Sequence, residues 1–350
     1  MTGIATDSGS PTLSLHNQLQ TLLPLADGST QPAEALPALL GLPADDVGPA
    51  LRAAADGLGL ALHTEADGWR LGAPLELLDA RTIAEALPAD VQPLLGPVEV
   101  LAEVDSTNTR LMQQAREGAP SGSVCLAERQ LAGRGRRGRP WVSPFGVNLY
   151  LSMLWRASGG PATLAGLSLA AGVAIAEALE TFGAGRLGLK WPNDVHWQGR
   201  KLAGLLIEVG GEPSGPSFAV LGVGVNLRMK AGSAVESDTA VQTIGQPWCD
   251  LDQVLAGQVF DRSRLAAVVI GRLLRMLARF RRDGLAPFLD GWRRRDTTLG
   301  LPVAVELGGG RLLGTGHGID NDGALLLKVP DGAVYPISAG EVSLRVDLRS

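Results

Sequence analysis

Residues 130 to 141 read Gln-Leu-Ala-Gly-Arg-Gly-Arg-Arg-Gly-Arg-Pro-Trp, and this block restricts the fold more than any other stretch of the chain. Arg134, Arg136, Arg137 and Arg139 are interleaved with Gly133, Gly135 and Gly138, and Pro140-Trp141 closes the run. The glycines fit the dinucleotide fingerprint G-x-G-x-x-G. That fingerprint requires a helix to open at once, and arginines followed by proline do not open one. The phosphate-loop pattern G-x-x-x-x-G-K-[ST] is absent as well, so any nucleotide is held by another device. So much positive charge on a pliable backbone needs an anion, and such a loop can order when its arginines pair with phosphate or carboxylate. A basic disordered segment and a general nucleic-acid patch are the competing readings. The block is single and compact inside an apolar-patterned region, which favours a site.

At 350 residues and 45% hydrophobic, the chain can bury more than one core, and ~100–200 residues per domain gives two or three domains. The net charge of −5 hides an asymmetry. Residues 1 to 100 carry three basic side chains (Arg52, Arg70, Arg81) against thirteen acidic ones, a net of −10, so the remaining 250 carry +5. The basic part is the expected home of anionic ligands. The first 30 residues show no basic start followed by an apolar run, which points to a cytoplasmic protein without a signal peptide. Cys125 and Cys249 lack C-x-x-C spacing, and His16, His63, His196 and His317 are scattered, so neither a disulfide framework nor zinc is supported.

A short tail and four regions are expected in an α+β chain. Residues 1–11 form a loose tail. Residues 12–73 contain three short helices (15–24, 32–40 and 45–58) and two extended stretches (60–64 and 68–71), the order of a winged helix-turn-helix or of a plain small bundle. Residues 74–97 read as a connecting helix and linker. Residues 98–296 form a large mixed α/β unit, with strands at 98–104, 123–128, 148–154, 187–191, 203–209 and 218–225. Its apolar stretch 163–182 has the length of a membrane span. The small side chains and Glu177 favour a buried core helix instead, so no membrane is expected. Asp261 is placed to cap a second long helix that stops at Gly284. Residues 297–350 hold five short β runs separated by turns, which a small closed barrel accommodates economically.

Four constellations carry the chemistry. Asp105-Ser106-Thr107-Asn108 ends a strand and opens a helix; it reads either as an N-cap or as neutral groups holding a polar amide or ureido head. The arginine loop is the second. The third is Lys190-Trp191-Pro192-Asn193-Asp194 followed by Arg200-Lys201-Leu202-Ala203-Gly204. If Pro192 ends a strand and Lys201 starts the next, two lysines and a carboxylate gather at one end of the sheet, suiting an anion with a divalent cation. An ordinary charged turn is the alternative, and Trp191 reads as core. In the fourth, Gly222-Val223-Gly224-Val225-Asn226, the glycines with Gly204 would clear one sheet face for a ligand, or merely ease packing.

Taken in order, Ser-Thr-Asn, Gly-Arg-Gly-Arg-Arg-Gly-Arg, Lys-Trp-Pro-Asn-Asp, Arg-Lys-Leu-Ala-Gly and Gly-Val-Gly-Val-Asn closely resemble the bacterial biotin protein ligases. The likeness spans about residues 15–344, because regulatory members also have an amino-terminal winged helix and a carboxy-terminal barrel similar to SH3 domains. The resemblance implies ATP and biotin as substrates, with Mg²⁺. The biotin carboxylate attacks the α-phosphate, and the biotinyl-adenylate then acylates a lysine of the biotin carboxyl carrier domain of acetyl-CoA carboxylase. It implies Lys201, Lys190, Arg136 and Asp194 as the catalytic set, with Asp194 orienting a lysine or placing Mg²⁺. Ser106, Thr107, Asn108, Gln130, Arg134, Gly135, Arg136, Lys201 and Gly204 would contact biotin. Arg134, Arg136, Trp141, Asn193, Asn226 and Trp248 would line the nucleotide side, with residues 244–248 covering the adenine. Loop closure would exclude water from the mixed anhydride, so Arg136→Gly is expected to leak it. No base for the acceptor lysine is visible.

Regulatory members bind operator DNA, commonly as ligand-induced homodimers. Here the expected recognition helix offers Asp45, Asp46 and Asp56 against Arg52, and a surplus of carboxylates opposes phosphate contact. The fold is expected to persist while repression is not. Two rival functions remain: a transcription regulator that senses biotinyl-adenylate without ligase activity, and a lipoate-attaching enzyme. The intact cations argue against the first and the arginine loop against the second.

Overall fold

The computed structural model describes residues 14–212, 215–232, 244–307, 310–338 and 343–345; the expected tail over residues 1–11 lies outside them. Contacts divide the chain into two compact units, the first mainly residues up to Glu76 and the second the bulk of the chain from Leu77 onward.

In the first unit, helices α1 (Leu15–Leu22), α2 (Leu36–Leu40) and α3 (Ala44–Leu58) pack with a small antiparallel sheet of order β1-β3-β2. Ser14 caps α1 through its side chain, and Gly41 and Gly59 end α2 and α3 in the left-handed conformation that only glycine adopts cheaply. Strands β2 (Leu62–Thr64) and β3 (Gly68–Leu71) form the expected hairpin. The helix expected from residue 32 starts at Leu36 instead, because Gln31 and Pro32 form an additional strand, β1, against β3. The one arginine of α3, Arg52, lies 4.8 Å over the Trp69 ring of β3.

The second unit opens with α4 (Ala80–Glu85), a helix within the stretch read as connecting helix and linker over residues 74–97; Pro88 and Pro93 follow it. Its seven-stranded sheet has the order β4-β5-β6-β10-β9-β8-β7. These strands are β4 (Val98–Val104), β5 (Val124–Gln130), β6 (Leu149–Ala157), β7 (Gly188–Lys190), β8 (Asp194–Trp197), β9 (Arg200–Gly211) and β10 (Ser217–Val225). Only β4 and β5 pair in parallel, across helix α5 (Thr107–Arg116); every other pairing is antiparallel.

Strand β8 is the main departure from the sequence expectation. Asp194 starts a strand rather than sitting in a turn, and a two-residue hairpin through Gln198 (φ 49°) and Gly199 (φ 74°) leads into β9. Lys190 on β7 and Lys201 on β9 therefore flank the Asp194 strand instead of lying on neighbouring strands.

Helix α6 (Leu167–Glu180) and the helix Arg262–Asp283 cover the sheet and share its core with Leu151, Leu189, Leu205 and Val223. The stretch Pro161–Glu180 is long and apolar enough to cross a membrane, but two thirds of it is buried in this core. Burial of each such aliphatic side chain is worth roughly 1.5–3 kcal/mol, which fixes the sheet carrying the site. Asp261 caps the long helix by accepting from Arg264 N at 2.6 Å, and Gly284 stops it.

The C-terminal strands are β11 (Pro302–Leu307), β12 (Gly310–Ile319), β13 (Leu325–Lys328), β14 (Val334–Ile337) and β15 (Ser343–Arg345). They form an antiparallel sheet of order β14-β13-β12-β11-β15, and among the described residues its two outer strands do not pair, so a closed barrel is not seen. The sheet is pinned to the rest of the unit: Trp191 Nε1, just after β7, donates to Gly323 O at 3.0 Å, and Arg293 Nη2, at the end of the helix Leu289–Arg293, donates to Asn321 Oδ1 at 3.0 Å.

Candidate active site

A cavity of about 730 Å³ opens over β9 and β10. Its lining includes Ser106, Thr107, Asn108, Gln130, Arg134, Gly135, Arg136, Trp141, Lys190, Asn193, Asp194, Lys201, Gly204, Asn226 and Trp248. Every residue assigned from the sequence to the catalytic, biotin and nucleotide sets thus borders one space, with residues 244–248 on its wall as well.

One end of the cavity is neutral and heavily hydrogen-bonded. The N-cap reading of the Ser-Thr-Asn turn holds for Ser106. Ser106 Oγ caps α5, at 3.5 Å from Thr109 N, while Thr107 and Asn108 join a buried network. Gln130 Oε1 accepts from Thr107 N (3.0 Å) and faces Thr107 Oγ1 at 3.1 Å. Ser152 Oγ lies 2.7 Å from Thr107 Oγ1 and 2.6 Å from Asn108 Oδ1. Asn108 Nδ2 donates to Leu206 O (3.2 Å) and to Glu208 Oε2 (2.7 Å). Ser152 and Glu208 were not anticipated; their only sequence signal is one polar residue inside an otherwise apolar strand.

The glycines do not leave empty space. A Cβ at Gly222 would collide with the Asn108 amide, and one at Gly224 would stand 2.6 Å from the Trp141 ring. At Gly204 a Cβ would meet both Trp141 and Lys201 at 3.0 Å. Bare backbone here admits protein side chains that themselves border the cavity.

The opposite end is cationic. Lys201 Nζ stands 2.7 Å from Asp194 Oδ1 and 5.4 Å from the centre of the Trp141 ring. Its approach is off the hydrogen-bonding direction, so Oδ1 remains a buried oxygen without a well-aligned donor among the described residues. The Lys201 backbone is clamped by its N–H to Pro247 O (3.0 Å) and its carbonyl to Cys249 N (2.9 Å). Lys190 sits directly across from Asp194 in the β7–β8 ladder.

The arginine block is a small hairpin rather than an open coil. Gly135 N donates to Arg139 O (2.7 Å), Trp141 N donates to Gly133 O (2.8 Å), and a single 3₁₀ turn spans Arg136–Gly138. At its tip Arg137 holds φ 58°, a left-handed conformation costly for a side chain that is not glycine, and its Nη2 donates to Glu306 O of β11 at 3.3 Å. Arg136 is turned inward, and burial together with the neighbouring Arg137 lowers its affinity for a proton, partly offset by Asp194. Arg134, expected to face the ligands, is held by protein: Nη1 donates to Thr109 Oγ1 (2.8 Å) and Nη2 to Glu208 Oε1 (3.1 Å).

His196, dismissed as scattered, belongs to the same wall. Burial pushes its imidazole down to about 4, Asp194 opposes that shift, and Lys190 and Lys201 add to it. Among the described residues no group of three or more His, Cys, Asp and Glu is placed to hold a metal ion. Asp194 is a single carboxylate already against Lys201, which does not by itself make a protein-held Mg²⁺ site. The whole arrangement can bring a neutral polar head to one end and gather anionic groups against three cations at the other.

Residues 100–226 match the biotin/lipoate A/B protein ligase family, and residues 298–345 match the biotin protein ligase C-terminal domain. The bifunctional ligase/repressor BirA of Escherichia coli (strain K12) is 39% identical over 327 residues, covering 93% of this chain and 97% of that protein. A biotin–[acetyl-CoA-carboxylase] ligase of Mycobacterium tuberculosis is 38% identical over 251 residues, covering 70% and 88%. Among solved structures, the biotin protein ligase from Aquifex aeolicus in complex with biotin and ATP superimposes with a TM-score of 0.61 at 30% identity, covering 72% of this chain and 99% of that one. The motifs, the shared cavity and these likenesses agree: the chain belongs to the biotin protein ligases.

Proposed function

We propose that the protein is an ATP-dependent biotin protein ligase. An oxygen of the biotin carboxylate attacks the α-phosphorus of ATP, the bond to the β-phosphate oxygen breaks, and pyrophosphate leaves. A neutral lysine amine of a biotin carboxyl carrier protein, as in acetyl-CoA carboxylase, then attacks the acyl carbon and releases AMP. The observation that carries this reading is the convergence of Lys201, Lys190 and Arg136 on one end of a cavity whose other end is neutral. Two anions must meet for adenylation, and preorganised cations offset their repulsion and stabilise charge growing on the phosphoryl oxygens.

In this reading Ser106, Thr107, Asn108 and Gln130 orient the ureido head. Lys201, steadied by Asp194, faces the carboxylate and α-phosphate, and Arg136 closes over both. Trp141, Asn193, Asn226 and Trp248 lie toward the nucleotide, and Mg²⁺ arrives as part of the nucleotide substrate. The domains in this reading are a winged helix-turn-helix over 12–73, a linker over 74–97, the catalytic domain over 98–296 and a C-terminal β-sheet domain over 297–350. Relatives named bifunctional ligase/repressor pair ligation with repression. Here the acidic α3, with Arg52 stacked on Trp69, makes operator DNA a weak partner.

Incubation with labelled biotin, ATP, Mg²⁺ and a carrier domain, with lipoate as competitor, tests the reading. Transfer of label to the carrier that lipoate does not suppress is expected. Binding of biotin and ATP without transfer would favour a biotinyl-adenylate-sensing regulator.

A further inference from the structure

Glu208 has no part in the reaction just described, yet its carboxylate is where the neutral floor and the arginine loop meet. Oε2 accepts from Asn108 Nδ2 at 2.7 Å, and Arg134 Nη2 donates to Oε1 and Oε2 at 3.1 and 3.3 Å. The second terminal nitrogen of Arg134 reaches Thr109 Oγ1 in the first turn of α5. An ionised carboxylate only accepts, so it selects the one orientation of the Asn108 amide that directs Nδ2 to β9 and leaves Oδ1 beside Ser152 as an acceptor. The same two oxygens fix the guanidinium at the start of the loop.

We propose that Glu208 is a positioning residue that couples the head-group floor to the seating of the arginine loop, so that retention of the acyl-adenylate depends on a carboxylate that touches no reacting atom. This rests on the adenylate-forming reading. Binding the neutral head braces Asn108, Asn108 braces Glu208, and Glu208 holds Arg134 while Arg136, two residues on, covers the labile anhydride. A half-exposed ion pair with no such coupling would contribute little and could be lost without consequence.

The test uses the full chain carrying Glu208→Gln, which keeps size and a partial acceptor, and Glu208→Ala, which keeps neither. Three quantities are read: biotin KM against kcat in biotin-dependent ATP–pyrophosphate exchange, escape of biotinyl-adenylate into solution per biotin transferred, and tryptic cleavage after Arg134, Arg136 and Arg137 mapped by mass spectrometry. For Glu208→Gln we expect biotin KM and adenylate escape each to rise about tenfold with kcat changed less than about threefold, the pattern of lost positioning rather than lost transition-state contact. Cleavage in the loop should quicken about tenfold, and Arg134→Gln combined with Glu208→Gln should be no worse than either alone, the signature of a shared interaction. Unchanged escape and unchanged cleavage in both Glu208 variants, or effects that simply multiply in the double variant, overturn the proposal. A wild-type protein that exchanges no pyrophosphate with biotin would overturn the functional reading instead, and the cleavage measurement would still decide whether Glu208 seats the loop.

Discussion

Two close ion pairs in the same unit, one sealed and one at the cavity wall, put charge to opposite uses. Arg262, fully buried on the long helix, pairs with Glu128 on β5 at 2.9 Å and donates to Asn148 O at 2.7 Å, while Glu128 also accepts from Leu78 N at 2.5 Å. One positive charge meets one negative charge, and the pair ties β5, β6, the long helix and the segment leading into α4 together. Lys201 and Asp194 approach as closely, but Lys190 and Arg136 stand around the same carboxylate and the group opens on the cavity. A one-to-one, sealed pair is architecture; a carboxylate with several cations around it on a cavity wall leaves charge where a bound group can reach it.

The sharpest way to break this contrast is to remove Arg262. Arg262→Leu leaves Glu128 buried without its counter-charge and should lower the unfolding free energy by about 3–5 kcal/mol, whereas replacing both members by leucine should recover part of the loss. Denaturant unfolding of the two variants measures this. A single variant as stable as wild type would show that the pair is not architectural.

Lys201→Ala is the counterpart. Asp194 keeps Lys190 across the ladder and Arg136 nearby, so removing one cation relieves repulsion instead of stranding a carboxylate. Stability should stay within about 1 kcal/mol of wild type, because additional partners compensate the remaining charge. Biotin-dependent pyrophosphate exchange should nevertheless fall about 10²–10³-fold in kcat, the usual cost of losing one preorganised group at developing charge. Unfolding as severe as that of Arg262→Leu would erase the distinction between the two pairs.

The same contrast explains what the sequence made legible. The arginine loop, the Lys190–Asp194 turn and the Gly222–Asn226 strand each carry their chemistry within a few consecutive residues, so their convergence on one cavity followed from strand order. Ser152 and Glu208 act through partners up to 100 positions away, and a lone serine or glutamate in an apolar strand says nothing about such a partner. Strand β8 escaped because it has four residues and a register shift between Val195 and His196, too short and irregular for a period-two pattern. The two-residue β1 escaped for the same reason. Turn residues marked the C-terminal β runs well, but turns do not report whether the outermost strands meet.

The smallest expected effect comes from His196, which carries the contrast into pH. An imidazole in the unfolded chain protonates near 6.5, while in the folded protein burial, reinforced by Lys190 and Lys201 against the pull of Asp194, delays protonation to about 4. As pH falls through this window the unfolded state takes up a proton that the native state refuses, so stability is intact above 6.5 and is lost progressively toward 4. The linked loss is roughly 3 kcal/mol at its upper limit. Denaturant unfolding at pH 7, 5.5 and 4.5 should show a steeper decline for wild type than for His196→Gln. In Lys201→Ala the decline should also be shallower, since one of the charges repelling the imidazolium is gone. Parallel curves for all three proteins would mean that Lys190 and Lys201 are screened from His196, and the difference between the two ion pairs would then be geometric only.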